Sequence, residues 1–328
     1  PWRLAAIFAA AVLGTALSGP LGRMCGVMDH PGALKLQTKA IPRLGGLGIL
    51  AGFLIGAVVV EGTLRSLLGG ALVMFAVGAV DDRFSLQPAW KLGGQIMASL
   101  FLAYAFAQRV QGPQVEIALM GLFTVSVTLV FANAVNLIDG MDGLAAGTAT
   151  IGFIALAILQ YMHGVEWRVS VISAVAVLGF LPFNLPRAKV FMGDCGSLLV
   201  GFLLAYGLIE LAVRSVSLFA SGLITLTIPL FDLGIGILRR WLTKRSIFSG
   251  DREHFYDRLR DTGIGDAKVL ADVLLVAMLF GLLGILLSVC SLSIVILAAV
   301  TLGALLVALA WHLGWLGRDL MRDQGSCK

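Results

Sequence analysis

The feature that most constrains this chain is a succession of long apolar segments running from one end to the other. A transmembrane helix needs ~20 apolar residues, and we count eleven segments of about this kind, at residues 4–21, 44–60, 66–80, 92–107, 117–136, 144–161, 169–185, 197–213, 216–238, 269–289 and 292–316. Each must be helical, because an open strand cannot satisfy its backbone hydrogen bonds in lipid. The sequence therefore predicts an all-α polytopic membrane protein with about 11 transmembrane helices, forming a single integral-membrane domain over residues 1–328.

Composition supports this class and excludes others. Apolar residues make up 59% of the 328 residues and charged residues 13%, against roughly 25% charged in a soluble domain. These values exclude a disordered chain, a coiled coil and an ordinary soluble enzyme. The four cysteines are scattered and indicate neither a disulfide framework nor a zinc site. The first apolar segment lacks a small-residue cleavage site, so we expect a span rather than a signal peptide.

The distribution of positive charge predicts the orientation in the membrane. Of the 24 Lys and Arg residues, 19 fall in one set of alternate loops and the C-terminal tail, and five fall in the other set. Cytoplasmic loops carry the excess of Lys and Arg, so we place the N-terminus outside and the C-terminus in the cytoplasm. The largest cytoplasmic loop covers about 239–268. The net charge of +5 needs no nucleic-acid partner, because these loops account for it.

Acidic residues are distributed just as unevenly. All fourteen aspartates fall in the cytoplasmic loops or in or near the adjoining helix ends. Asp81 and Asp82 are adjacent at the end of the third span, where they could serve a divalent cation or accept a proton from a phosphate, or simply form a solvated pair. Lys91 begins the next span, where it could meet an anion or anchor the helix at the interface. A cytoplasmic active-site face for a metal ion and a phosphorylated substrate is the interpretation that we favour.

Two further motifs flank spans on the same face. Asn136, Asp139 and Asp142 occur in N-L-I-D-G-M-D-G-L, and two aspartates three residues apart would share a helix face. Asp194 lies in F-M-G-D-C-G-S at the start of an apolar run. This placement suits a carboxylate that holds a divalent cation, and helix capping is the alternative explanation.

Other candidates lie inside a span and in two loops. Asp232 lies well within the ninth segment, where an ionisable group is a functional candidate by default; Pro229 nearby predicts a broken helix. Arg252 and His254 in the last large loop could bind phosphate, although a lone histidine in a charged loop is more often just solvated. Lys39 belongs to the segment K-A-I-P-R-L-G-G before the second span.

Taken in this order, the motifs resemble the polyprenyl-phosphate N-acetylhexosamine-1-phosphate transferase family, also called glycosyltransferase family 4. That family includes the phospho-MurNAc-pentapeptide translocase and the GlcNAc-1-phosphate transferases. K-A-I-P-R-L-G-G-L, V-D-D-R-F and F-S-G-D-R-E-H resemble the GlcNAc branch. The resemblance implies a bundle of ten or eleven helices in the bacterial inner membrane and transfer of a sugar 1-phosphate, most often GlcNAc-1-phosphate, from a UDP-sugar to a polyprenyl phosphate such as undecaprenyl phosphate, with release of UMP.

The resemblance also implies roles for single residues. Asp194 corresponds to the ligand of Mg²⁺, for which Mn²⁺ is an alternative. Asp81 and Asp82 correspond to the paired acids that activate the lipid phosphate, with Asn136 and Asp139 as polar catalytic residues beside them. The substrate-binding set that we predict is Lys39, Arg43, Lys91, Asp142, Phe191, Asp232, Arg252 and His254, in which Asp142 and Phe191 would hold the uracil.

One departure from the family pattern concerns the sugar. The GlcNAc branch usually has H-x-H-H in the last large loop, whereas the corresponding run here is His254-Phe255-Tyr256-Asp257. The sequence does not decide which hexosamine is used, whether transfer is direct or proceeds through a covalent aspartyl intermediate, or whether the protein is a monomer or a homodimer. A secondary transporter with broken helices is the main non-enzymatic alternative.

Overall fold

The computed structural model describes residues 1–31, 39–60, 65–246 and 253–316. Within them the chain forms thirteen helices and one pair of two-residue antiparallel strands, in which Met28 pairs with Pro42 and Asp29 with Ile41. In chain order the elements are α1 (Trp2–Cys25), β1 (Met28–Asp29), β2 (Ile41–Pro42), α2 (Gly46–Val59), α3 (Arg65–Phe84), α4 (Pro88–Ala107), α5 (Gln114–Ile138), α6 (Leu144–Met162), α7 (Arg168–Asn184), α8 (Gly193–Arg214), α9 (Val216–Thr225), α10 (Thr227–Leu242), α11 (Phe255–Asp261), α12 (Asp266–Leu287) and α13 (Leu292–His312).

The prediction of an all-α polytopic membrane protein is confirmed. Ten of the eleven apolar segments each coincide with one helix, and the ninth is divided between α9 and α10. Among the described residues, six helices are long and apolar enough to cross a membrane, or seven if the bent pair counts as one span. The count of eleven spans is therefore not confirmed, because helices such as α2 and α7 are shorter than a full span.

Helix α8 is the centre of the bundle. Its apolar window is 89% buried, against 6% for α13 at the periphery, and α2, α3, α5, α6, α7 and α9 pack around it. A helix that is apolar on all sides has to be surrounded by other apolar surface, and in α8 the surrounding surface is protein. Its first turn is consequently fixed by several neighbours at once, which matters for the site described below.

The predicted break in the ninth segment is present. α9 and α10 meet at Leu226 with an angle of 82°. Proline cannot donate a backbone hydrogen bond, and its ring clashes with the carbonyl of the residue four positions earlier. Pro229 therefore prevents α9 from continuing as one straight helix, and it occupies the first turn of α10 instead.

A partly buried ion pair lies at the opposite end of the bundle. Nη1 of Arg109, just after α4, lies 2.7 Å and 2.9 Å from the two carboxylate oxygens of Glu210 near the end of α8. The Glu210 side chain is only 6% exposed. This pair ties α4 to α8 at the end remote from the aspartate motifs.

Candidate active site

Polar residues from four helices meet at one end of the bundle. Asp81 and Asp82 lie in the last turn of α3, Lys91 in the first turn of α4, Asn136 in the last turn of α5, and Asp194 is the second residue of α8. The helices alternate in direction, so the C-terminal ends of α3 and α5 lie beside the N-terminal ends of α4 and α8. The four motifs that the sequence singled out separately are thus brought into direct contact.

The ammonium of Lys91 lies at the centre of this cluster. Its Nζ contacts Oδ2 of Asp194, lies 3.0 Å from Oδ2 of Asp81 and donates to Oδ1 of Asn136 at 3.3 Å. Three oxygen atoms from three different helices therefore face one position. We did not predict this arrangement, because the sequence left Lys91 open between anion contact and interface anchoring.

Asn136 and Arg43 hold the other side of the Asp194 carboxylate. Nδ2 of Asn136 donates to Oδ1 of Asp194 at 3.1 Å and to Oγ of Ser197 at 2.9 Å. Nη2 of Arg43 lies 3.5 Å from the same Oδ1 of Asp194 and 3.4 Å from Oδ1 of Asp82. Ser197, which is absent from the predicted site, therefore orients Asn136; its position in the F-M-G-D-C-G-S motif was the available signal.

Asp82 is used differently from its neighbour Asp81. Its two oxygens accept the backbone N–H groups of Asp194 and Cys195, each at 2.9 Å, and its side chain is 0% exposed. The first N–H groups of a helix have no partner within the helix, and here a carboxylate from α3 supplies the partner. Asp82 therefore caps α8 and fixes the backbone that carries Asp194.

The close approach of α3 to α8 depends on glycine. A Cβ atom on Gly78, one turn before Asp82, would collide with the backbone of Asp194 and Cys195. Gly193 has φ of +71°, a conformation that side chains other than glycine rarely adopt. These two glycines allow the capping carboxylate to reach the start of α8.

Asp81 remains on the open side of the cluster. Oδ1 accepts the backbone N–H of Leu86 at 2.7 Å, and Oδ2 faces Lys91. Its side chain is 14% exposed, the same fraction as that of Asp194. Of the two adjacent aspartates, only Asp81 therefore presents an oxygen to the region where a substrate could enter.

The segment between α5 and α6 contributes Asp139 and Asp142. Oδ2 of Asp142 accepts the N–H of Ala188 at 2.9 Å, and the N–H of Gly143 is donated to Asn184. These bonds tie the segment to the loop that precedes α8. Burial raises the pKa of Asp142, while its backbone donors oppose the shift. Burial, reinforced by the nearby charge of Asp194, raises the pKa of Asp139 well above its usual range.

Phe191 lies in this loop before α8, and Lys39 and Arg43 lie in the segment that precedes α2. The N–H of Phe191 donates to the carbonyl of Pro42 at 2.8 Å, and its carbonyl accepts from Gly45 at 2.9 Å. Lys39 is exposed two residues before β2. The structure thus joins the backbone of Phe191 to the segment that contains Arg43, whereas Lys39 lies at the surface.

A second polar cluster involves the last large loop. Nδ1 of His254 lies 2.6 Å from Oδ2 of the buried Asp232, and the N–H of Phe255 donates to Oδ1 of Asp232 at 3.2 Å. The rings of His254 and Tyr256 are stacked with centroids 5.4 Å apart. Asp232 and His254, which the sequence predicts separately as substrate-binding residues, are therefore brought together, while Arg252 lies outside the described residues.

Tyr256 connects the two clusters. Its hydroxyl donates to the carbonyl of Leu137 at 3.2 Å, directly after Asn136 in α5. Burial and the nearby carboxylates of Asp257, Asp232 and Asp139 raise the pKa of Tyr256. Sequence reasoning noted Tyr256 only as a departure from H-x-H-H, and the structure shows that it fastens the loop to the end of α5.

The donor set suits a hard divalent cation held in part by substrate. Within the described part of the chain, no group of three or more His, Cys, Asp or Glu side chains has the arrangement of a metal cage. Mg²⁺ usually binds through one or two carboxylates together with waters and substrate phosphates. Oxygens of Asp194, Asp81 and Asn136 that face one position are such a set, so the residues present fit the ion.

The fold and this site define a polytopic membrane protein whose polar cluster suits phosphate chemistry, and comparisons with known proteins agree. A model of glycosyl transferase family 4 matches residues 64–212. The chain is 32% identical over 281 residues to a probable undecaprenyl-phosphate N-acetylglucosaminyl 1-phosphate transferase of Bacillus subtilis, covering 80% of this chain and 77% of the relative. The chain belongs to glycosyl transferase family 4.

Two further relatives extend the comparison. A decaprenyl-phosphate N-acetylglucosaminephosphotransferase of Mycobacterium tuberculosis is 31% identical over 316 residues, covering 81% of this chain and 78% of the relative. An undecaprenyl-phosphate alpha-N-acetylglucosaminyl 1-phosphate transferase of Escherichia coli K12 is 29% identical over 312 residues, covering 86% and 82%. The family that the motifs resemble is thereby confirmed.

Proposed function

We propose that this protein transfers N-acetylhexosamine 1-phosphate, with GlcNAc as the preferred sugar, from a UDP-sugar to a polyprenyl phosphate and releases UMP. Three relatives from different bacteria carry names that describe GlcNAc-1-phosphate transfer to undecaprenyl or decaprenyl phosphate. The observation that carries the proposal is the cluster of Asp81, Asn136 and Asp194 around a single cation position at the end of an apolar bundle. Such a site can accept phosphates at the level of the membrane surface.

The reaction exchanges one diphosphate for another. An oxygen of the lipid phosphate attacks the sugar-bearing phosphorus of the UDP-sugar, and the bond from that phosphorus to the oxygen bridging to UMP breaks. The numbers of phosphoanhydride bonds formed and broken are equal, so the reaction is close to isoenergetic. The anomeric carbon is not attacked, so its configuration is retained. Catalysis then depends on positioning and on stabilisation of charge.

The residues of the cluster divide this work. Asp81 meets the lipid phosphate, either orienting it or accepting its proton. The second pKa of a phosphate monoester is about 6. Near neutral pH the lipid phosphate is therefore already mostly a dianion, and a base has almost no proton to remove from it. Lys91 and Arg43 offer positive charge to the phosphate oxygens, and Asn136 orients the Asp194 carboxylate.

A divalent cation completes the proposed site. Mg²⁺, or Mn²⁺ in its place, would be held by Asp194 with oxygens of Asp81 and Asn136, and when bound it supplies charge that neutralises the diphosphate. Asp142 and Phe191, fixed on the loop before α8, are proposed to hold the uracil. Asp232 and His254 are proposed to line the part of the site that binds the sugar. Tyr256 occupies a position at which the family often has histidine.

The membrane setting belongs to the same proposal. The bacterial relatives and the positive loops favour the bacterial cytoplasmic membrane, with the N-terminus outside and the C-terminus and active site in the cytoplasm. UDP-sugars are soluble and reach the site from the cytoplasm, while the polyprenyl chain stays in the bilayer. The product would be the first lipid-linked intermediate of an envelope glycan.

UMP release by the purified protein tests the proposal. The assay combines UDP-GlcNAc and undecaprenyl phosphate with and without Mg²⁺, and it repeats the measurement with UDP-GalNAc. We expect release that requires both the lipid phosphate and the metal. No release with any UDP-sugar from folded protein would refute the transferase and return the transporter to consideration.

A further inference from the structure

The position of Lys91 suggests a role that neither the motifs nor the relatives assign. Its ammonium is surrounded by Oδ2 of Asp194, Oδ2 of Asp81 at 3.0 Å and Oδ1 of Asn136 at 3.3 Å. These are oxygen donors of the kind that a hard divalent cation selects. A cation-shaped position formed by three helices is thus filled by a side chain of the protein itself.

Lysine is suited to a reversible occupancy of this kind. Its ammonium is a compact point charge on a flexible stem of four carbons. The Lys91 side chain is 18% exposed, so it has a direction in which to withdraw. The position enclosed by these three oxygens cannot hold the ammonium and a metal ion together, because both would occupy the same volume and like charges at contact distance repel each other.

The Asp194 carboxylate keeps other partners when Lys91 withdraws. Its Oδ1 accepts from Asn136 at 3.1 Å and lies 3.5 Å from Arg43, whereas Lys91 contacts Oδ2. The two oxygens therefore serve different cations. Replacing the ammonium at Oδ2 leaves the orientation of the carboxylate intact.

We propose that Lys91 is an exchangeable counter-ion, which occupies the cation position when no metal is bound and leaves it when a divalent cation binds. The displaced ammonium then becomes free to meet phosphate oxygens of the substrates. The inference rests on the proposed function only in taking a divalent cation as the natural occupant. It predicts that replacing Lys91 raises the affinity for the metal and lowers turnover.

The first test is a titration of the purified Lys91→Met variant with Mn²⁺ in the absence of substrate. Electron paramagnetic resonance monitors the binding of the metal. We expect Mn²⁺ to bind at least tenfold more tightly than to the wild type, because the competing charge is gone. UMP release is expected to fall at least tenfold at saturating metal. Lys91→Gln serves as a second variant that keeps polar atoms at this position if the methionine variant does not fold.

Lys268→Met is the matched control. Lys268 pairs with Asp272 on α12 at 3.3 Å, and its side chain is 69% exposed. The substitution removes the same charge elsewhere and should change neither Mn²⁺ affinity nor turnover. Equal or weaker Mn²⁺ binding by the Lys91 variants, or no binding to any form of the protein, would overturn the proposal.

The second test uses the wild-type chain. An acylating amine reagent is applied with and without Mg²⁺, and modification of Lys91 and Lys268 is followed by mass spectrometry. We expect Mg²⁺ to speed modification of Lys91 several-fold while Lys268 is unchanged. Slower or unaltered modification of Lys91 would contradict displacement. Neither metal measurement needs a sugar donor, so failure of the proposed reaction leaves both tests decisive.

Discussion

Substitution of Asp82 separates support of a helix from chemistry on the substrate. Both oxygens of Asp82 accept backbone N–H groups at the start of α8, each at 2.9 Å, and the side chain is 0% exposed. Asparagine has the same shape but only one acceptor oxygen. Asp82→Asn therefore keeps one of the two bonds and turns an NH₂ group towards the other N–H.

The cost follows from the hydrogen bonds that are lost. A hydrogen bond to a charged group contributes ~1.5–3 kcal/mol, so Asp82→Asn should destabilise the protein by about 1.5–3 kcal/mol and Asp82→Ala by about twice as much. For large domains 1 kcal/mol corresponds to roughly 2–4 °C. We expect Tm to fall by roughly 3–12 °C for the asparagine variant, measured in detergent at one fixed scan rate.

Activity distinguishes the two adjacent aspartates. Asp82→Asn should lower kcat/KM for UMP release about tenfold and raise the Mg²⁺ concentration for half-maximal rate, because the backbone of Asp194 is less firmly held. Asp81→Asn is the control: its remaining side-chain oxygen can still accept the N–H of Leu86, so we expect a smaller fall in Tm than for Asp82→Asn and a nearly complete loss of turnover. An Asp82→Asn protein of unchanged Tm that is as inactive as Asp81→Asn would refute the capping role.

Four further outcomes are expected. Asp194→Asn should remain folded by circular dichroism but lose UMP release by at least about 100-fold, since its carboxylate is central to the cluster. Asp142→Ala should raise KM for the UDP-sugar more than it lowers kcat, because its bond to Ala188 holds the loop before α8; the reverse pattern in steady-state kinetics would indicate a catalytic role. Tyr256→Phe should lower stability by about 1 kcal/mol through loss of one hydrogen bond, seen as a modest fall in Tm. Glu210→Gln should lower Tm while leaving kcat and KM unchanged, because its ion pair lies at the opposite end of the bundle.

The helices were predictable from the sequence because the bilayer imposes them. Apolar segments of limiting length have to be helical in lipid, and ten of the eleven segments coincide with one helix each. The bend at Leu226 was predictable in kind from Pro229, although its angle of 82° was not. Apolarity alone could not predict how many helices cross the membrane completely, because a short helix such as α2 is as apolar as a transmembrane helix.

The sequence predicted on which side of the membrane the site residues lie, but not which of them contact one another. Alternating spans return their ends to the same side, which is why Asp81, Asn136 and Asp194 could be assigned to one surface. Their contacts depend on how α3, α5 and α8 pack, and no spacing along the chain encodes that. Asn184, which accepts from the N–H of Gly143, was missed because a single asparagine at the end of a helix, here α7, has no distinctive pattern.

The different fates of Asp81 and Asp82 have a simple geometric cause. Consecutive residues on a helix point about 100° apart, so the two adjacent aspartates meet Asp194 differently: Asp82 reaches its backbone N–H, whereas Asp81 contacts its side chain. Helix α8 lies against one side of α3, at the level of Gly78, and the residue directed there becomes its cap. The other is directed towards α4 and Lys91. Motif reading treats the pair as one unit, whereas helical geometry requires that its members act separately.

The charges of the cluster bear on how the site could accept the two phosphates of the proposed reaction. Among the described residues, the ion pairs of Asp81, Asp82 and Asp194 are with Lys91 and Arg43, and burial raises the pKa of Asp139, which reduces its share of negative charge. The balance is close to neutral but slightly negative, so a diphosphate gains little by entering alone. Under the proposals above, a divalent cation would reverse the sign, and Lys91, whose charge is already part of this balance, would be released from the carboxylates to face the phosphates. The same lysine that balances the aspartates before a metal binds would thus contact phosphate once the metal has bound.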